Sequence, residues 1–322
     1  MLSSYQFLLI VLIITSLLIP LIIGTPLITF LKSISVKQTI REDGPKEHIY
    51  KKSDTPTIGG LIFLMPLFLI SFCLCYFKKE FRTLDLFIVL GSTCTMAVLG
   101  FIDDYLKVIK KQNKGISGWS KLFIQFLISL AIYCFYRENG GLIYLLWIFF
   151  IFSGSSNSYN LTDGLDGLLA SISTVSFLGL AVLFHQLGNI NLTIFSLIFS
   201  SVLLGFLYFN KHPAKVFMGD TGSLAIGGAV GALGIVSRHE LFLAFFATIP
   251  ILEALSVILQ VASCQLSKRF LGIDKRIFKM TPLHHHFELV GWKESDIVKR
   301  FFMFQVVCVV VGILTMSFAS QP

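Results

Sequence analysis

Charge is what this sequence has least of. Only 14% of its 322 residues are Asp, Glu, Lys or Arg, where a soluble domain carries about 25%. With 55% hydrophobic residues and a mean hydropathy of +0.80, that shortage excludes an ordinary soluble globule. Cysteine is sparse as well. Cys73, Cys75, Cys94, Cys134, Cys264 and Cys308 fall within or at the ends of apolar runs, without paired C-x-x-C spacing. This excludes a disulfide framework and a cysteine metal centre. No basic head precedes the first apolar run, and the first basic residue is Lys32 beyond it. A cleavable secretory signal has the opposite order, so the run reads as an uncleaved first span. Internal repeats and low-complexity stretches are also lacking. The net charge of +8 does not imply nucleic acid, because the basic residues lie in loops between apolar runs rather than in one patch.

What is present is apolar length. A helix needs about 20 apolar residues to cross a bilayer, and the 32 phenylalanines suit that solvent. Ten stretches qualify or nearly do: 7–31, 58–77, 86–102, 121–137, 142–156, 164–184, 190–209, 222–236, 241–265 and 298–318. The expected fold is an all-α integral membrane protein, one polytopic domain over 1–322. If the N-terminus is outside and ten spans alternate, the outer loops hold only five of the 26 basic residues, Lys78, Lys79, Arg82, Arg137 and Arg238. The remainder fall on the inner side, so the positive-inside rule puts both termini outside.

Every chemistry-bearing motif falls on that inner side. In KKSDTPTIGG (51–60), Lys51 and Lys52 suit phosphate or simple topology anchoring, and amides near Gly59 and Gly60 suit phosphate. In GFIDDYLKVIKK (100–111), adjacent Asp103 and Asp104 suit a magnesium ion holding a diphosphate. One of them would alternatively act as base or nucleophile, or both would pair with Lys107 and Lys110. NSYNLTDGLDGLL (157–169) repeats Asn157 and Asn160, then Asp163 and Asp166, at three-residue spacing. On a helix that spacing puts both acids on one face, toward one ligand. In FNKHPAKVFMGDTGSLAIGG (209–228), Asp220 precedes a glycine-rich span that Thr221 or Ser223 would cap. Phe217 suits base stacking or plain packing, and Asn210 suits reading a base. TPLHHHFELVGW (281–292) carries His284, His285 and His286. Adjacent histidines project apart, so phosphate contacts or loop-holding bonds fit better than one metal. His48, His185, His212 and His239 read as ordinary loop residues. Glu253 is the one clear ionisable group within a span.

Together these motifs, with EALSVILQV, resemble the phospho-N-acetylmuramoyl-pentapeptide-transferase family in family order from Asp43 to Trp292. The resemblance implies transfer of phospho-N-acetylmuramoyl-pentapeptide from UDP-N-acetylmuramoyl-pentapeptide to undecaprenyl phosphate, with UMP released and magnesium required. It implies a bacterial cytoplasmic membrane enzyme, embedded in membrane lipids and compatible with a homodimer, with its site on the cytoplasmic face. Carried over residue by residue, the catalytic set is Asp103, Asp104, Asp220 and His284. Asp220 is the leading magnesium ligand, with Asp103 and Asp104 beside it. The substrate set is Lys52, Thr57, Asn157, Asn160, Asp163, Gly164, Leu165, Asp166, Asn210, Phe217, His285 and His286. Ser158-Tyr159 stands where the family often has Ala-Val, and residues 116–120 look divergent and receive no role. The competing readings are a sister enzyme that transfers N-acetylglucosamine-1-phosphate to the same lipid and, from another class, a transporter or flippase. The latter is disfavoured because ionisable groups near the membrane midplane are few.

Overall fold

A computed structural model describes residues 4–34, 55–110, 115–136 and 141–319. Lys51, Lys52 and His48 therefore lie outside the described residues. The elements are helices α1 (Ser4–Ser33), α2 (Leu61–Phe77), α3 (Leu84–Lys110), α4 (Gly118–Tyr136), α5 (Gly141–Thr162) and α6 (Leu168–Gln186). They continue with α7 (Ile190–Asn210), α8 (Gly219–Ser237), the short α9 (Leu243–Phe246), α10 (Thr248–Leu271), α11 (Leu283–Val290) and α12 (Glu294–Ala319). No strand occurs among the described residues. Nine of these helices are long and apolar enough to span a bilayer, and α2 is a shorter apolar helix of 17 residues. The chain is an all-α, multi-pass membrane protein. Its outer faces carry exposed Phe, Leu, Ile and Val on most of the helices.

Helix α8 is the axis of the bundle, buried almost along its whole length from Thr221 to Val236, whereas few residues of α1 and α4 are buried. Its composition explains that position. GSLAIGGAVGALG offers almost no side-chain bulk, so neighbouring backbones come close, as small residues allow in membranes. A Cβ on Gly227 would lie 2.6 Å from the Ser156 Cα of α5, and Ser155 Oγ donates to Gly227 O at 2.7 Å. The approach of α3 is governed from the other side. A Cβ on Gly100 would lie 2.1 Å from the Asp220 carbonyl oxygen. The last turns of α3 and α5 thus meet the first turn of α8 at one end of the bundle.

Three differences from the expected boundaries have a direct physical reason. Helix α3 continues past 102 to Lys110, because Asp103 and Asp104 turn inward to buried partners instead of ending the helix. Helix α5 runs through Asn157 and Asn160 to Thr162, since these side chains are satisfied by neighbouring helices. The ninth span is interrupted between α9 and α10. Gln305 of α12, fully buried, bridges that break. Its Oε1 accepts from Ile249 N at 3.1 Å, and its Nε2 donates to Phe245 O and Phe246 O at 3.1 and 2.9 Å. Buried backbone groups at such a break are tolerated only when partners of this kind exist.

Candidate active site

Asp103, Asp104 and Asp220 converge where α3 crosses the start of α8, with ligand oxygens all within 4.8 Å of one another. Asp103 is 1% exposed and Asp104 3%. Two lysines neutralise the cluster. Lys107, one turn after Asp103, lies 2.6 Å from Asp103 Oδ2 and 3.2 Å from Asp220 Oδ2. Lys121 of α4 lies 3.1 Å from Asp103 Oδ1 and 2.6 Å from Asp220 Oδ2. Asp103 Oδ1 also accepts from Ile116 N at 2.7 Å.

The adjacent aspartates do different work. Asp104 accepts from the backbone amides of Asp220 and Thr221 at 3.1 and 2.9 Å, and from Thr221 Oγ1 at 2.7 Å. It is the cap of α8, supplied from another helix. Thr221 and Ser223 do not cap as the sequence suggested, because no side chain within the N-cap segment accepts those amides. Thr221 donates to Asp104, and Ser223 Oγ donates to Gly219 O at 3.0 Å. Asn160 of α5 completes the wall, its Nδ2 donating to Asp220 Oδ1 at 3.0 Å and to Ser223 Oγ at 2.8 Å.

Asp163 and Asp166 do not share a helix face. The chain leaves helix after Thr162, and residues 163–167 form a turn that sends its members three ways. Asp163 faces Asp220, Asp104 and the Gly219 amide. Burial, then the charges of Asp220 and Asp104, push its carboxyl up to about 8. Asp166 faces the opposite side, where Oδ2 accepts from Ala214 N at 3.0 Å and lies 3.2 Å from His212 Nδ1. Glu294 joins there, accepting from Asp166 N at 2.7 Å. His212 is thus no ordinary loop residue: with Asp166 and Glu294 it ties three segments together. Gly164, in the middle, abuts His284.

The histidine run projects in three directions. His284, 1% exposed, sits against fully buried Glu253, its Nδ1 3.1 Å from Oε1. His285 Nδ1 lies 2.7 Å from Glu288 Oε2, one turn along α11. His286 Nδ1 accepts from Lys279 N at 3.1 Å.

Residues 86–238 match the family described as Glycosyl transferase family 4. The chain is 41% identical to the phospho-N-acetylmuramoyl-pentapeptide-transferase of Anoxybacillus flavithermus, over 92% of this chain and 94% of that protein. It is 41% identical to the same-named protein of Caldanaerobacter subterraneus subsp. tengcongensis, over 93% and 96%. The Bacillus subtilis protein of that name is 39% identical over 92% and 94%. The chain belongs to the phospho-N-acetylmuramoyl-pentapeptide-transferase family.

Measured against the residues expected from that family, the structure joins Asp103, Asp104, Asp163, Asp220 and Asn160 in one cluster. Thr57, buried, is close to it: a Cβ on Gly219 would meet Asp104 Oδ2 at 2.4 Å and Thr57 Oγ1 at 2.8 Å. Asn157 faces away, donating to Gln125 Oε1 of α4 at 3.2 Å and to Ser153 O at 2.8 Å. Leu165 is buried with Leu168, Ile172, Ile249, Ile297 and Phe301. Buried Asn210 donates to Val216 O at 3.0 Å, shaping the 211–218 loop. Phe217 is half-buried in that loop, whose backbone pairs with Pro56, Gly59 and Gly60. The departure at 158–159 is accommodated inside the bundle: Ser158 Oγ donates to Ser155 O, and Tyr159 is fully buried with its hydroxyl 3.5 Å from Phe246 O.

Lys107 entered the sequence reading only as a charge partner, and Lys121, Ile116, Glu294 and His212 had no site role. The i, i+4 spacing of Asp103 and Lys107 was a visible signal. Nothing local marked Lys121, which reaches Asp220 across 99 residues.

The oxygen-only donor set of Asp103, Asp104 and Asp220 fits a hard divalent cation such as magnesium, which takes few protein ligands and keeps several waters. The lysine ammoniums bridging Asp103 and Asp220 mark where positive charge belongs in that cluster.

Proposed function

We propose that the chain transfers phospho-N-acetylmuramoyl-pentapeptide from UDP-N-acetylmuramoyl-pentapeptide to undecaprenyl phosphate and releases UMP. It does so as one polytopic domain of a bacterial cytoplasmic membrane, with both termini outside and the site on the cytoplasmic face. The observation that carries this reading is the buried cluster of carboxylates and two lysines at one end of a membrane bundle, in a chain related along its length to transferases of that name. Phosphoryl transfer asks mainly for charge neutralisation and alignment, and this cluster offers both.

Both oxygens of Asp104 are engaged by the start of α8, so Asp220 and Asp103 are the residues that would hold magnesium. The ion, when bound, would neutralise the diphosphate and polarise the bond to UMP. Lys107 and Lys121 place two positive charges beside Asp103 and Asp220, where an incoming phosphate and a departing one both need them. Asp103, buried and held by both lysines and by Ile116 N, is suited to orienting the acceptor phosphate rather than attacking a phosphorus itself. The reaction is then direct: an oxygen of undecaprenyl phosphate attacks the phosphorus next to the sugar, and the bond to UMP breaks. Isolation of a sugar-phosphate adduct on Asp103 would contradict this order. Asp104 fixes the start of α8, and so the position of Asp220. The nucleotide side is assigned to Gly164, Leu165, Asp166, Asn210 and Phe217, with Lys52 near the phosphates and His285 and His286 bordering the sugar and peptide.

The reading is tested by UMP release from purified protein supplied with magnesium and undecaprenyl phosphate. UDP-N-acetylmuramoyl-pentapeptide should be the preferred donor. Preference for UDP-N-acetylglucosamine would move the chain to the sister activity, and no turnover with either would reject a transferase.

A further inference from the structure

Glu253 and His284 are buried ionisable groups for which the transfer reaction as written has no step. They lie 31 residues apart in sequence, on α10 and at the start of α11. Glu253 is fully buried and His284 is 1% exposed. The carboxylate is directed at one residue twice. It lies 3.3 and 3.4 Å from the His284 backbone N, which donates to both of its oxygens, and Oε1 lies 3.1 Å from Nδ1. An ionised carboxylate only accepts hydrogen bonds, so it requires the imidazole proton on Nδ1. In a neutral imidazole Nε2 is then a lone-pair acceptor.

That second nitrogen has no hydrogen-bond partner among the described residues. It is aimed at the 163–167 turn, where Gly164 leaves room: a Cβ there would lie 2.0 Å from Nε2. A buried acceptor without a partner is costly, and here it faces the turn that joins Asp163, at the acidic cluster, to Asp166.

We propose that Glu253 is a positioning residue. It locks His284 in the tautomer that presents Nε2 as an acceptor, and the bound nucleotide-sugar satisfies Nε2 with one of its O–H or N–H groups. This rests on the transferase reading for the identity of the ligand, but the proton assignment does not.

Two measurements on the full-length detergent-solubilised protein test it. The first is nitrogen NMR of histidine-labelled protein at about pH 8, where an ordinary imidazole is neutral, with His284→Gln assigning the signal. The expected spectrum has His284 protonated at Nδ1 and bare at Nε2. Glu253→Gln, whose amide both donates and accepts, should give mixed tautomers. The second is steady-state UMP release. Losing one substrate hydrogen bond should raise KM for the UDP-sugar about tenfold in Glu253→Gln, with kcat within about threefold. Glu253→Asp, which keeps the charge, should recover most of that loss. A merely structural role would lower the active fraction, and so kcat, without moving KM. An unchanged KM in Glu253→Gln, or wild-type His284 carrying a proton on Nε2, whether alone or together with one on Nδ1, would overturn the proposal. The expected tautomer in a protein that turns over no UDP-sugar would overturn the transferase reading and uphold Glu253 as the group that sets the His284 proton.

Discussion

Asp103 and Asp104 are neighbours in sequence with separate duties, and substitution should separate them. Asp104 accepts three hydrogen bonds from the start of α8. Its replacement by Ala should lower the melting temperature, at a cost of about 0.5–2 kcal/mol, as expected for a lost helix cap. Asp103→Asn should leave the fold in place and abolish UMP release. Near-normal turnover in a well-folded Asp103→Asn protein would refute its role. Asp163 gives a pH prediction. Its folded value of about 8 lies above an exposed aspartate's 3.8. The folded state therefore keeps a proton that the unfolded chain gives up. The stability this contributes is complete below about pH 4 and is lost as pH rises through about 8. Without divalent cations, the melting temperature should fall across that window more in the wild-type protein than in Asp163→Asn. Equal slopes in the two proteins would contradict the assignment. At this scale the acids were legible in the sequence as unusual residue types beside apolar runs. Their directions were not, because the turn at 163–167 sends Asp163, Gly164 and Asp166 to three different partners.

Among the elements, each of the ten apolar stretches marked by hydropathy coincides with helix, and nine of the described helices are long and apolar enough to span a bilayer. Hydropathy did not locate the break in the ninth span. The cause is Gln305, 56 residues beyond Ile249 in the chain, and no local pattern announces it. Gln305→Leu would strand Ile249 N and two carbonyls. It should destabilise the protein by about 1–3 kcal/mol, read as a drop in thermal stability in detergent. The α3–α8 crossing gives a second prediction. In Gly100→Ala the new methyl would lie 2.1 Å from the Asp220 carbonyl oxygen, a backbone atom that cannot rotate away. The helices must separate, at a cost of about 1–3 kcal/mol for overpacking, and the carboxylate cluster must open. Loss of turnover beyond any loss of folded protein is expected. A Gly100→Ala protein with wild-type activity would show that the crossing does not set the site. The glycine-rich composition of α8 was legible. The site role of Gly100 was not, because it depends on which helix lies opposite.

For the molecule as a whole, the end of the bundle carrying the acidic cluster must be the reaction centre if the chain is the transferase proposed. The scarcity of charge made the membrane class legible at once, and the ordered motifs made the family legible. What sequence order could not supply was the pairing of Lys121 with Asp220 or of Glu253 with His284, since long-range contacts between helices are set by packing rather than by spacing. The most direct test is UMP release from UDP-N-acetylmuramoyl-pentapeptide and undecaprenyl phosphate by the wild-type protein and by Asp220→Ala, titrated with magnesium. Magnesium-dependent turnover is expected in the first, and none in a folded Asp220→Ala at any magnesium concentration. Turnover by Asp220→Ala with an unchanged magnesium requirement would contradict that expectation.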